Sequence, residues 1–274
     1  MLAASPKSVN DAGRNYPETD MIALAALRRS AALLALALLF GAADVAAETA
    51  SPLNDAQKQA IEKMIHQYIL DHPEVILEAV QRHRDKAEEA KKAHAKAAVT
   101  SLRKEIENDP TSPVAGNAKG DVTIVEFFDY RCGYCKRVHP TMVELLKEDK
   151  NLRFVFKEFP ILGPDSMIAA RAALAVWRMH PEKYAAIHDA LMTGRGAIDE
   201  ASVMALAGKL GIDPAALKKA MADPEVETIL AKNFRLADAL GINGTPAFIV
   251  GSEVVPGAVD KETLKKLIAD ARRG

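Results

Sequence analysis

The sequence predicts an α/β domain preceded by a helical arm, and three observations carry that prediction. Apolar runs of strand length at 122–128, 152–157 and 247–250 alternate with helical stretches in the order βαβ, helical block, ββα. Residues 53–106 repeat apolar residues at helical spacing and then turn into Ala, Lys, Arg, Glu and His. The chain's two cysteines lie together as Cys132-Gly133-Tyr134-Cys135, directly after the first strand. With 274 residues, 49% hydrophobic and 27% charged, the chain has the balance of a folded protein and not of a disordered or collagen-like one. A net charge of −1 gives no support for nucleic-acid binding, which needs a basic face.

The N-terminus reads as a secretory signal. Arg28 and Arg29 precede an 11-residue apolar run at 30–40, and Val45-Ala46-Ala47 follows as a small-residue cleavage site. The run is shorter than the roughly 20 apolar residues a spanning helix needs. Met21 is the expected true start, and cleavage after Ala47 leaves 227 residues. Export by the general secretory route places the protein in an oxidising compartment, read here as a bacterial periplasm.

After the signal, Ile61, Met64, Ile65, Tyr68 and Ile69 recur on one face of a helix over 53–70, capped by Asn54 or Asp55. Asp71-His72-Pro73 interrupts it, because proline disfavours helical geometry in the residue before it. A second helix runs from about Pro73 to Ile106, with an approximate heptad seam of Ile76, Val80, His83, Ala87, Ala90, His94 and Ala97. Charge is split along this region: 48–80 carries 2 basic and 6 acidic residues, 81–104 carries 8 basic and 3 acidic. Beyond its first turns the second helix is too polar to suggest a place in a core. Two readings stand: an oligomerisation module on a helical stalk over 48–107, or a single arm packed on its own domain. The prolines, glycines and small polar residues of 108–120 read as a linker.

The catalytic unit is expected over 121–274. A helix from Gly133 is broken or kinked at Pro140. Residues 165–240 are helical, with stops at Pro181, Gly194, Gly211 with Pro214, and Pro224. Gly251-Ser252 turns the third strand into 253–255, and Asp260 caps a last helix. Cys132 falls where the first helix of this unit begins. Helix-start N–H groups have no intrahelical partner and the dipole there is positive, so a Cys132 thiolate is stabilised. Cys135 lies one turn on, and the pair can alternate between dithiol and disulfide. A structural disulfide and half of a zinc site are the rival readings; zinc needs two further ligands, and His139 is the only nearby histidine. His139 is either a helix-surface residue or a third ligand beside two soft thiolates that would suit Cu(I). His66, His72, His83 and His94 are too scattered for a chelating pair.

The segment FFDYRCGYC, Pro140 on the active-site helix, the helical insertion and Gly244-Thr245-Pro246 before a strand resemble the DsbA-like branch of the thioredoxin superfamily. Upstream, YILDHPEVILEAV at 68–80 resembles the N-terminal segment of the ScsC-like (suppressor of copper sensitivity) proteins, members of which trimerise and act as disulfide isomerases. The resemblance implies a thioredoxin fold with a helical insertion behind an N-terminal oligomerisation stalk. It implies Cys132 as exposed nucleophile, Cys135 as buried resolving cysteine, and Pro246 as a cis-proline facing them. Thr245 would offer backbone groups to an extended substrate, with Gly133 and Tyr134 also at the substrate. Glu126 matches a buried acid that would relay protons for Cys135, and Lys157 is expected to pair with it; a plain structural ion pair is the rival. Tyr134 stands where the founding oxidase has a histidine and cannot supply the same positive charge to the thiolate.

The expected activity is thus periplasmic thiol–disulfide exchange on protein substrates, as an isomerase. A monomeric dithiol oxidase and a copper-binding protein are the alternatives. The isomerase reading expects a reducing membrane partner and a homotrimer, with no cofactor and no resident metal.

Overall fold

The computed structural model describes residues 53–273. The expected signal segment 1–47, with its start at Met21, lies outside the described residues. The chain divides into two compact units, one ending at Pro73 and one from Glu74 onward.

In the first unit, α1 (Asp55–Asp71) starts with a capping box. The Asn54 side chain accepts from the Gln57 amide at 2.9 Å, and the Gln57 side chain accepts from the Asn54 amide at 3.0 Å. The helix stops at His72, the residue before Pro73. None of its residues is buried, and Met64 is 69% exposed.

The second unit opens with α2 (Glu74–Glu107), followed by β1 (Val114–Gly116), β2 (Val122–Phe128), α3 (Gly133–Glu148) and β3 (Leu152–Glu158). The helical block comprises α4 (Pro164–Met179), a 3-10 turn at Pro181–Lys183, α5 (Tyr184–Thr193), α6 (Glu200–Lys209), α7 (Pro214–Met221) and α8 (Pro224–Ala239). It breaks where the prolines and glycines were expected to break it. The chain closes with β4 (Ala247–Val250), β5 (Glu253–Pro256) and α9 (Lys261–Arg273), whose start is held by the Thr263 amide donating to Asp260 Oδ1 at 2.7 Å. The helix α3 is not broken at Pro140; it runs through it, the proline costing one helical hydrogen bond.

The five strands lie in the order β1-β3-β2-β4-β5, with β2 and β3 parallel and the other pairs antiparallel. Side chains alternate across this sheet. One face presents Ile124, Phe128, Phe154, Phe156 and Phe248 to α3, α9 and the helical block. The other presents Val125, Phe127, Val155 and Ile249 to α8 and to the end of α2.

Two sequence expectations are corrected here. First, the end of α2 belongs to the core: Val99 and Ile106 are fully buried, with Leu102 partly buried beside them. The stretch is polar on average, but these three fall on one face of the helix. Second, the stretch expected as a linker, 108–120, contains β1, which pairs Val114 with Val155 and Ala115 with Phe154. Gly116, at φ +77, takes the chain off this edge; a Cβ there would sit 2.5 Å from the Leu152 carbonyl oxygen.

The compact unit therefore begins well before residue 121. Ile106→Ala should lower stability by about 2–5 kcal/mol, as large-to-small core changes do, measured by urea unfolding. Removal of residues up to 73 should leave a cooperative unfolding transition, whereas removal up to 107 should abolish it.

Candidate active site

The site is built on the turn between β2 and α3. Asp129, buried at the strand end, accepts from the Arg131 amide at 2.7 Å, the Ser166 hydroxyl at 2.8 Å and the Leu162 amide at 3.0 Å. Its carbonyl accepts from the Cys132 amide at 3.0 Å. One carboxylate thus holds the redox turn, the loop after β3 and the start of α4 together. Sequence reading missed it; an acid between a buried strand and a helix start was the available signal.

Cys132 is the N-cap of α3, and its Sγ accepts from the Cys135 amide at 3.3 Å. As a thiol it donates to the Thr245 carbonyl at 3.2 Å. Both cysteines are free. The nucleophile is less open than expected: Cys132 is 5% exposed and Cys135 fully buried. The two thiols differ sharply in acidity. Hydrogen bonding from the Cys135 thiol, then from Thr245 and the Cys135 and Tyr134 amides, brings Cys132 down to about 5 against the cost of its burial. Cys135 is pushed far up, because its proton is engaged with Cys132, the thiol is buried, and the negative charge of Glu126 is close.

Across from the cysteines the Thr245-Pro246 peptide bond is cis. Tyr134 is 57% exposed, with the Arg137 guanidinium 4.7 Å above its ring. A Cβ at Gly133 would meet nothing within 4 Å, so this side of the motif faces open space. Lys136 ties α3 to the end of α5 through the Leu191 and Gly194 carbonyls, at 3.1 and 2.6 Å.

Glu126 is buried on the sheet face that carries the cysteines, and burial followed by the Cys132 charge raises it to about 8. The expected Lys157 partner is not there. Lys157 stands opposite Phe127 in the parallel register, so it projects from the other face of the sheet. Its Nζ donates to Ser112 Oγ at 2.7 Å and the Glu105 carbonyl at 2.9 Å, with Asp109 at 3.7 Å. It is a structural residue that ties α2 and the loop before β1 to the sheet, and not the partner of Glu126 that the sequence suggested. A one-residue offset between partner strands reverses the face, which sequence alone does not reveal.

His139 is also corrected. It is no surface residue, being 8% exposed, and its Nε2 lies 2.9 Å from Asp189 Oδ1 on α5. Among the described residues no group of three or more His, Cys, Asp or Glu is placed to hold a metal ion. Behind the redox turn runs a polar chain that the sequence did not show: Tyr130 Oη lies 3.0 Å from His188 Nδ1, and Tyr184 donates to Glu158 at 2.7 Å. Burial raises Glu158 to about 7 and lowers His188 well below its usual range.

A dithiol at a helix start, facing a cis-proline loop on a thioredoxin-type sheet with a helical insertion, defines the domain as one of the thiol–disulfide oxidoreductase class. The chain belongs to the DSBA-like thioredoxin domain family, which it matches over residues 123–269. Residues 57–90 match the N-terminal domain of the copper resistance protein ScsC. The chain is similar to a thioredoxin-like oxidoreductase structure from Silicibacter pomeroyi, with 44% identity, TM-score 0.61, and coverage of 63% of this chain and 98% of that one. A Proteus mirabilis ScsC linker-deletion mutant matches at 28% identity and TM-score 0.62, covering 81% and 98%. The thiol:disulfide interchange protein DsbA of Bordetella parapertussis is 28% identical over 54% of this chain and 71% of its own length. The chain spans only about a quarter of the length of other curated relatives, Na(+)/H(+) antiporters NhaA of Salinispora, at 29% and 28% identity.

Two outcomes follow. In the reduced protein, alkylation should modify Cys132 alone, at a rate that rises through pH about 5; mass mapping after iodoacetamide at several pH values reads it. Glu126 binds its proton more tightly in the native state than in the unfolded one, where it titrates near 4.5. Its contribution to stability must therefore fall as pH rises from 4.5 to 8. Glu126→Gln should match the wild type near pH 4 and exceed its stability by a few kcal/mol above pH 8, measured by urea unfolding of the reduced proteins.

Proposed function

We propose that this chain is a periplasmic thiol–disulfide oxidoreductase acting on protein substrates, working as a disulfide isomerase and assembling through residues 53–80. The observation that carries the reading is the opposite displacement of the two thiols. At neutral pH Cys132 is a thiolate that attacks a substrate disulfide. A bond forms between Cys132 Sγ and one substrate sulfur; the old S–S bond breaks, and its other sulfur leaves as a thiolate that takes a proton from solvent. Two routes lead on. A substrate thiolate re-attacks the mixed disulfide and expels Cys132, completing isomerisation with no net change in oxidation state. Alternatively Cys135 loses its proton and attacks Cys132 Sγ, releasing reduced substrate and leaving the Cys132–Cys135 disulfide, which a reducing partner must then reopen.

The hydrogen bond to Cys132, and then burial, hold the proton on Cys135. That delays the second route and lengthens the time available for reshuffling.

The arm supports assembly. Met64, Ile65, Tyr68, Leu70 and Leu77 are exposed within one chain, and apolar faces of this kind find a partner. Closed symmetry, a trimer by the resemblance, would hold several dithiols near one substrate at high effective concentration. The signal pattern supports export, and a reducing membrane partner would keep Cys132 a thiolate. The copper reading loses its third ligand, since His139 engages Asp189.

Recovery of scrambled ribonuclease should depend on Cys132 and be absent in Cys132→Ser. Cys135→Ser should accumulate mixed disulfides visible on non-reducing gels. Residues 74–274 should sediment as a monomer with weaker isomerase activity. A monomeric mature protein from residue 48 onward would contradict the assembly, and efficient oxidation of reduced ribonuclease without reshuffling would favour the oxidase reading.

A further inference from the structure

A cavity of 220 Å³ begins at the same loop that touches the nucleophile. Thr245 accepts from Cys132 Sγ on one side, and Thr245 and Pro246 line the cavity on the other. Its floor is apolar, with Ile242, Pro246 and Val254, and its far wall is α2, which contributes Lys91, Lys92 and Lys96. The helix is fixed over this place: Lys96 approaches Glu253 at 3.8 Å and Arg103 donates to the Gly251 carbonyl at 3.3 Å. Gly241 and Gly244 face the opening, and a Cβ at either would meet nothing within 4 Å, so a second backbone can come close.

Charge decides what fits. The cavity wall carries three lysines against Glu88 and Glu253, and Lys91 and Lys92 have no ion-pair partner among the described residues. The surrounding stretch 81–104 holds 8 basic and 3 acidic residues. An apolar floor under a row of ammonium groups suits a segment with apolar residues on one side and carboxylates on the other. A polypeptide advances about 3.3 Å per residue when extended. A substrate held at Cys132 and running past Thr245 therefore enters this cavity within a few residues of its reacting cysteine.

We propose that the cavity between α2 and the loop before β4 is a substrate-binding subsite, which selects polypeptides carrying an acidic–apolar segment a few residues from the cysteine under attack. The subsite rests on the reading of the chain as an exchanger acting on protein disulfides. It gives α2 a part in recognition as well as in the core and the stalk. The three lysines do not touch the reacting sulfurs; they raise the rate by holding the flanking segment. Their contribution is Coulombic and screened by salt.

The test uses the mature chain from residue 48 and cysteine peptides blocked as mixed disulfides with glutathione. The peptides are identical except for a flanking Ile-Glu-Glu-Leu or Ile-Lys-Lys-Leu, placed on either side of the cysteine. The acidic peptide should exchange about fivefold faster than the basic one at low salt, a gap of roughly 1 kcal/mol. The gap should close in 0.5 M salt. It should also close in the triple variant Lys91→Gln, Lys92→Gln, Lys96→Gln, and reverse in the corresponding Lys→Glu triple. Exchange with oxidised dithiothreitol, too small to reach the cavity, should be unchanged in both variants. Equal rates for the two peptides in the wild type, or a preference that survives both triples, would overturn the subsite. Loss of exchange with every disulfide, in the wild type too, would instead overturn the exchanger reading on which it rests.

Discussion

The hydrogen bond from the Cys135 amide to Cys132 Sγ, at 3.3 Å, is the contact around which the catalytic unit is arranged. It exists because Cys132 is the N-cap of α3, a position where a small polar side chain takes up an amide that the helix cannot satisfy. Serine or aspartate would cap as well; a thiol placed there gains acidity from the same geometry. The geometry depends in turn on Asp129, whose carboxylate fixes the turn, and on the sheet, whose β4 brings Thr245 to within 3.2 Å of the sulfur. Stabilising the Cys132 thiolate also raises Cys135, since the proton shared between the two sulfurs stays with the inner one. The division of labour between the cysteines is thus one effect seen from two sides.

This arrangement weakens the fold. Glu126, Glu158 and His188 are buried ionisable groups held away from their ordinary protonation behaviour, and Glu158 Oε2 and His188 Nε2 have no hydrogen-bond partner. A core of leucines and valines in their place would be firmer. The unfavourable groups gather on the sheet face that carries the dithiol, among Phe128, Tyr130, Phe156 and Tyr184. On the opposite face the one comparable cluster, Lys157 with Asp109 and Lys232, is largely satisfied and ties α2, β1 and α8 to the sheet. Perturbed acidity beside a dithiol is what a proton-coupled reaction requires; on the opposite face burial also lowers Lys157, to about 8, where its partners make it structural.

The regular elements were legible because their signals are local. The strands 122–128 and 247–250 are apolar runs bounded by turns, and the breaks in the helical block sit at Pro181, Gly194, Pro214 and Pro224. The dithiol and Thr245-Pro246 were legible as motifs. What escaped were facts of pairing. Whether Glu126 meets Lys157 depends on which face of a parallel pair each occupies, and a register of Phe127 to Lys157 separates them. The strand β1 is three residues long and too short for a periodic signal. The partnership of His139 with Asp189 spans 50 residues of sequence and is created only when α5 packs on α3.

The helix α2 shows why averaging over a long element misleads. Its mean composition is that of a solvated helix, yet it passes through three environments. At its start Val75, Ile76 and Leu77 are apolar and exposed among the described residues. In its middle the lysines at 91, 92 and 96 stand over the cavity beside Thr245. At its end Val99 and Ile106 are fully buried against the sheet. A helix rises about 1.5 Å per residue, so the roughly 20 residues between Leu77 and Ala97 span on the order of 30 Å. A rigid rod of that length, anchored in the core at one end, carries its apolar start well away from the anchored end. Such a start lies apart from the sheet that its own far end covers, which is the feature the proposed assembly rests on. The same anchoring fixes the lysines over the cavity, so that one continuous helix carries both the cavity's basic wall and the exposed apolar start.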